Sequence, residues 1–350
     1  MSDGKEHARR LPVGAEALPE GGAHFRVWAP RRKNVKVIIE AQGGREQQVI
    51  ELGSEPDGYF SGTANAANDG ALYRFKLDTD EKLYPDPASR FQPDGPHGPS
   101  QIIDPSRFEW TNTDWPGVRL KGQVIYEMHI GTFTREGTWE SASRELEELA
   151  RVGITIIEVM PLHEFPGSFG WGYDGVDLFA PSHLYGTADD FRRFVDRAHA
   201  FQIGVILDVV YNHFGPDGNY LRQFSEDYFT DKHITDWGEA INFYAENSAP
   251  VREFVIANAG YWIDEFHLDG LRLDATQNMY DESGEHVLAA LTQRARAAAG
   301  NRTIIVIGEN EPQHTILIRP PEQGGYGIDA LWNDDLHHSA MVALTGRNEA

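Results

Sequence analysis

Asp269-Gly270-Leu271-Arg272-Leu273-Asp274 is the stretch on which the reading of the fold turns. In an extended strand, Leu271 and Leu273 leave on one side while Arg272 and Asp274 leave on the other. A guanidinium that stays protonated, two residues from a carboxylate on the same face, favours the ionised acid and lowers its pKa. A carboxylate nucleophile needs that ionised state near neutral pH. A structural Arg–Asp pair reads the same way in isolation, so the neighbouring segments decide.

Working outward, apolar strand-like runs alternate with helical ones. Strands are expected at 124–129, 154–160, 204–210, 271–275, 303–307 and 330–332, with helices at 141–152, 188–201, 250–264 and 285–299. This alternation predicts a parallel sheet covered by helices. A dinucleotide-binding sheet would carry a glycine-rich phosphate turn after its first strand, and Glu127-Met128-His129-Ile130-Gly131 has none. Polar residues gather instead at the C-terminal ends of successive strands: His129, then Asp208 with Asn212 and His213, then Arg272 with Asp274, then Glu309. A (β/α)8 TIM barrel builds its site there. The predicted fold class is therefore α/β, a (β/α)8 barrel over 118–350 with about six βα units present and an inserted loop region at about 214–248. Closure takes eight strands, so the sequence reads as the front part of a longer protein whose missing edge should expose apolar surface.

Upstream, residues 1–22 read as a polar, disordered tail ending at Gly21-Gly22. From 23 to 95, short alternating runs such as His24-Phe25-Arg26-Val27-Trp28 and Ala71-Leu72-Tyr73-Arg74-Phe75-Lys76-Leu77 are punctuated by turn residues, predicting a small immunoglobulin-like β-sandwich. Proline, aspartate, glycine and serine dominate 84–117, an extended connector whose part from 96 to 117 is the linker to the barrel.

Composition narrows the function. The 350 residues hold 31 Lys+Arg against 54 Asp+Glu, a net charge of −23. No basic run stands out, so neither nucleic acid nor anionic membrane is an expected partner. Without cysteine there is no disulfide framework and no thiolate nucleophile or metal ligand. The first residues lack the apolar core of a secretory signal and no run is long enough to span a bilayer, so a cytoplasmic location is the default.

Two carboxylates at the ends of neighbouring strands, Asp274 and Glu309, suit glycoside hydrolysis, one attacking the anomeric carbon and the other protonating the departing oxygen. The apolar run Val306-Ile307-Gly308 before Glu309 should partly desolvate it and raise its pKa towards that of a general acid. Glu311 competes for that role, but Glu309 ends the strand directly. Asp208 and His213 are expected on the catalytic face, and Trp171 and Tyr173 lie on a glycine-rich aromatic loop suited to stacking against sugars. No dense oxygen-ligand loop surrounds Asn212 and Asp217, so neither a metal nor another cofactor is expected.

Asp208-Val209-Val210-Tyr211-Asn212-His213, Gly270-Leu271-Arg272-Leu273-Asp274 and Gly308-Glu309, in that order, resemble three of the four signature regions of the α-amylase family of glycoside hydrolases. The resemblance implies Asp274 as nucleophile, Glu309 as general acid and base, and Arg272, Asp208 and His213 as contacts to the sugar being cleaved, with Tyr173 stacking on it. Phe25-Arg26-Val27-Trp28-Ala29-Pro30 resembles the start of the module that precedes the barrel in branching and related enzymes. Asp86-Pro87-Ala88-Ser89-Arg90-Phe91-Gln92-Pro93, Tyr126-Glu127-Met128-His129-Ile130-Gly131 and Trp332-Asn333-Asp334-Asp335-Leu336-His337-His338 are most similar to the trehalose-releasing branch of that family. That likeness implies a maltooligosyltrehalose or α-glucan substrate, cleavage next to the terminal trehalose with retention, and a place in trehalose biosynthesis. The fourth signature, with the third catalytic carboxylate, is not found before Ala350, so the likeness also implies little turnover by this chain alone. A glucan-branching transferase with the same catalytic groups, or a non-catalytic glucan-binding fragment, are the competing readings.

Overall fold

The computed structural model describes residues 9–41 and 47–347. Two four-stranded antiparallel sheets form the N-terminal sandwich, one built from Gly14–Ala17, Ala23–Trp28, Tyr59–Ala64 and Gly53–Ser54, the other from Gln48–Glu51, Val35–Ile39, Leu72–Leu77 and Ser100–Gln101. Alternation places the core: Tyr73, Phe75 and Leu77 point inward, and Phe25 meets Tyr73 edge-on at 5.0 Å.

Three expectations need correction here. The tail expected over 1–22 is not found over its described part, where Gly14–Ala17 pairs with Ala23–Trp28 as a strand; residues 1–8 lie outside the described residues. The glycines at 21 and 22 close that hairpin instead of ending a tail, with φ of 94° and 85°. The sandwich also runs past residue 95, since Ser100–Gln101 pairs with Leu72–Leu77. Its connector is a buried polar clamp, in which Asp86 accepts from the Tyr73 hydroxyl at 2.7 Å and Arg90 donates to the Val13 carbonyl at 3.0 Å.

The second part is a curled sheet of six parallel strands, β1 (Ile125–Met128), β2 (Ile156–Val159), β3 (Gly204–Val209), β4 (Gly270–Leu273), β5 (Ile305–Gly308) and β6 (Ala330–Leu331), adjacent in chain order. Helices Ala188–Ala200, Ser248–Glu265 and Val287–Ala298 follow β2, β3 and β4. The helix expected over 141–152 is two, Trp139–Arg144 and Leu146–Arg151, broken at Glu145. The insertion at 214–248 is more than a loop, with a short helix at Leu221–Phe224 and a hairpin of Phe229–Thr235 with Gly238–Ile241.

The pleat sorts side chains into two sets. Leu207, Leu271, Leu273 and Val306 pack under the helices, while Ile156, Ile206, Ile305 and Ile307 form a separate apolar layer on the concave face. Arg272 pairs in register with Asp208 and Ile307, so it leaves on that same concave face. The outer strands, β1 and β6, have a neighbour on one side only among the described residues, and Val124, Tyr126, Leu336 and Leu344 are exposed beside them. No described helix is long and apolar enough to cross a membrane.

Asp269, the first residue of the decisive stretch, has a structural duty. Fully buried, its carboxylate accepts from Trp115 Nε1 at 2.6 Å, His199 Nε2 at 2.8 Å and the Val205 amide at 2.9 Å, fixing β4 to β3 and to the helix behind. Asp269→Ala leaves two buried donors and the half-buried Trp115 indole unpaired, at about 1–3 kcal/mol for each buried one, not additively. A loss of at least about 2 kcal/mol in unfolding free energy is expected from urea titration.

Candidate active site

At the C-terminal ends of β3, β4 and β5 one guanidinium gathers three carboxylates. Arg272 Nη1 donates to Asp208 Oδ1 at 2.8 Å and to Asp274 Oδ1 at 2.7 Å, and Nη2 lies 2.9 Å from Glu309 Oε2. Asp274 Oδ2 accepts from Asn212 Nδ2 at 2.7 Å, which fixes the carboxylate from both ends. The Tyr173 hydroxyl donates to Asp208 Oδ2 at 2.9 Å. The chain supplies this cluster because parallel register repeats at each strand end, so residues far apart in sequence share one rim.

The turn after β4 locks the two candidate acids together. Ala275 adopts φ 39°, ψ 55°, a left-handed conformation that costs a residue with a Cβ about 1–2 kcal/mol. In exchange its amide donates to Glu309 Oε2 at 3.0 Å, and the next residue, Thr276, donates from N and Oγ1 to the Glu309 carbonyl at 2.9 and 2.6 Å. Strain of this kind concentrates at functional sites.

The surroundings of Glu309 differ from the expectation. It does not sit in a dry apolar pocket: its side chain is 36% exposed, and Oε2 takes bonds from Arg272 and the Ala275 amide. Val306 and Ile307, expected to desolvate it, are spent on the helix-side core and the concave layer below. Burial pushes the Asp208 carboxyl up to about 7, against the pull of Arg272. Burial also opposes the Arg272 charge, but Asp208, Glu309 and Asp274 together outweigh it and raise its pKa. Burial, followed by Asp208, raises the Tyr173 phenol.

The other residues singled out from sequence are placed less uniformly. His213 Nε2 lies 2.9 Å from the Tyr173 carbonyl, and burial lowers its pKa, so it is neutral at pH 7. Trp171 is 69% exposed on the same loop as Tyr173. His129 ties down that loop, with Nε2 3.0 Å from the Gly170 carbonyl and 3.1 Å from the Tyr185 hydroxyl. Asn212 binds Asp274, while Asp217 pairs with His97 at 3.2 Å, so these two do not converge. Sequence reasoning missed Trp237, whose ring stacks on His213 at 3.8 Å from the tip of the inserted hairpin. No periodic signal marks a lone aromatic in a hairpin turn. It also passed over Glu158, an acid within the apolar run of β2, where its interruption of that run was the available signal.

Comparison with known proteins fits this geometry. Residues 12–92 match the family model for carbohydrate-binding module 48, the isoamylase N-terminal domain, and residues 101–248 match that for the alpha amylase catalytic domain. The chain is 42% identical to the malto-oligosyltrehalose trehalohydrolase of Saccharolobus solfataricus, over 95% of its own length and 57% of the relative's. It is 40% identical to that of Deinococcus radiodurans, over 98% of its length and 54% of the relative's. A 1.4 Å crystal structure of an alpha-amylase candidate from Salmonella typhimurium superposes with a TM-score of 0.89 at 41% identity, covering 97% of this chain and 57% of that one. The chain thus spans little more than half the length of the relatives it matches. An alpha-amylase match on the first three strands of the sheet and their approach, a module 48 match on the sandwich, and trehalohydrolase relatives along almost the whole sequence place this chain in the α-amylase family of glycoside hydrolases.

Proposed function

We propose that Asp274, Glu309 and the Arg272 array form the cleavage subsite of a retaining glycoside hydrolase that releases trehalose from malto-oligosyltrehalose. The observation that carries this reading is the single guanidinium that holds Asp274 on one nitrogen and Glu309 on the other. A shared donor of that size favours the roughly 5 Å carboxyl spacing of double displacement over the wider spacing that leaves room for a water. The choice of substrate is supported by the trehalohydrolase relatives. Because the chain covers only part of their length, the proposal concerns the activity of the whole protein.

The steps follow from the side chains. Asp274 attacks the anomeric carbon while Glu309 gives its proton to the glycosidic oxygen, and the trehalose unit leaves. Water then attacks the glycosyl ester, Glu309 takes the proton, and Asp274 is regenerated with the anomeric configuration retained. Both bonds to Glu309 fall on Oε2, which leaves Oε1 for the glycosidic oxygen. Arg272 and Asn212 hold Asp274 from its two oxygens and aim it, while Tyr173 presents its ring to the sugar and Asp208 holds the phenol in place.

An epoxide mimic of α-glucose tests the nucleophile directly. Peptide mass spectrometry should find the ester on Asp274, and a label confined to another residue removes Asp274 from its role. Asp274→Asn should abolish labelling and trehalose release from maltotriosyltrehalose, with sugar affinity changed by less than about tenfold. New α-1,6 branches in place of free trehalose would indicate a transferase instead. Arg272→Lys replaces a planar fork by a point charge that cannot span three acids. Its affinity for maltotriosyltrehalose in calorimetry should fall by about tenfold or more, equivalent to about 1.4 kcal/mol.

A further inference from the structure

Below the Arg272 array, Asp208 meets two further acids that the proposed chemistry does not use. Glu127 on β1, Glu158 on β2 and Asp208 on β3 each bring a carboxylate oxygen within 4.8 Å of the other two. Register dictates it: Glu127 and Glu158 pair directly, and Asp208 follows by two residues Ile206, the partner of Glu158 on the concave face. Glu158 is only 2% exposed, held between the apolar layer of Ile156, Ile206 and Ile305 and the guanidinium above. Its Oε2 has no hydrogen-bond partner among the described residues, and neither has Nε of Arg272, the one nitrogen of that guanidinium not engaged with a carboxylate. A buried acceptor and a buried donor are thus both left open in one small volume.

An ionised carboxylate with one oxygen unpartnered in such a place would be unfavourable, and Arg272 is already committed to three acids. We infer that Glu158 is a positioning residue that carries a proton at neutral pH and, as a neutral acid, steadies Asp208 and Arg272 from below, so that its ionisation disorganises the sugar-binding rim. The groups facing it are Glu127 from β1, Asp208 from β3, Arg272 from β4 and the Trp332 indole after β6. Burial and then Asp208 push the Glu158 carboxyl up to about 8, with Arg272 and a Trp332 hydrogen bond opposing. In the neutral form its hydroxyl can donate towards Asp208 through one water, and its carbonyl oxygen can accept from Arg272 Nε in the same way. On ionisation the proton leaves to solvent.

Only the effect on sugar binding rests on the proposed function; the protonation stands by itself. Infrared difference spectra of the chain minus Glu158→Gln at pH 7 should show the carbonyl stretch of a protonated carboxyl, giving way to carboxylate bands as pH rises through about 8. A pure carboxylate difference at pH 7, with or without a bound cation, overturns the inference. Should the Gln variant not fold, the same band is read from 13C-labelled glutamate in a Glu164→Gln background, since burial also raises Glu164. The folded state keeps a proton that the unfolded chain releases above 4.5, so Glu158 costs the native chain stability progressively from pH 4.5 to about 8. Glu158→Gln should therefore gain stability relative to the parent chain across that window, and a pH-independent difference counts against protonation. In calorimetry, affinity for maltotriosyltrehalose should decline through about pH 8, and the Gln variant should move that decline up by about one unit or more. An unmoved decline refutes the positioning role, whereas absence of sugar binding by the whole protein at every pH, with the infrared band present, refutes the hydrolase reading alone.

Discussion

The array depends on the charge of one side chain. Arg272 is buried, and it reaches Asp208, Asp274 and Glu309 at once. In a medium of low effective dielectric, attraction at such distances is several times stronger than in water, and removing the cation would leave each acid with an uncompensated desolvation cost. Three acids against one cation also leave the site short of positive charge whenever all are ionised. The structure meets that shortage with neutral donors, the Tyr173 phenol on Asp208, the Asn212 amide on Asp274 and the Ala275 amide on Glu309. Tyrosine, asparagine and a backbone amide can stabilise an anion without adding a charge that would compete with an incoming sugar.

Much of this was legible in the sequence because the informative residues obey short-range rules. Period-two alternation placed Arg272 and Asp274 on one face, and apolar runs ending in acids or amides located the rim of the sheet. What escaped depends on distance in the chain. Gly14–Ala17 looked like tail because its partner strand, not its own composition, makes it a strand. The environment of Glu309 was misjudged because the apolar residues before it point elsewhere, a matter of pleat and packing that hydropathy along the chain does not encode. Trp237 reaches the rim only through a hairpin inserted after β3, and no local pattern announces that His213 will lie beneath its ring.

The sandwich and the sheet are joined by contacts that bear on the same rim. Tyr59 donates to Glu253 at 2.8 Å and Arg10 to Glu265 at 2.6 Å, both acids on the helix that leads into β4. Trp28 packs edge-on against Tyr228 at 5.2 Å, next to the hairpin that carries Trp237. The N-terminal module therefore braces the helix that leads into β4 and the insertion that carries Trp237. Its own buried core, centred on Phe25, Tyr73 and Phe75, gives that brace a rigid base.

Spatial order and chain order coincide throughout the six-stranded sheet. Every strand hydrogen-bonds first to the strand synthesised just before it, so a nascent polypeptide leaving the ribosome can extend the sheet by addition at one growing edge, without waiting for a distant partner. Loop-closure entropy is then met in instalments, one crossover at a time. The cluster around Arg272 draws on β3, β4 and β5, and so becomes complete as soon as the fifth strand docks.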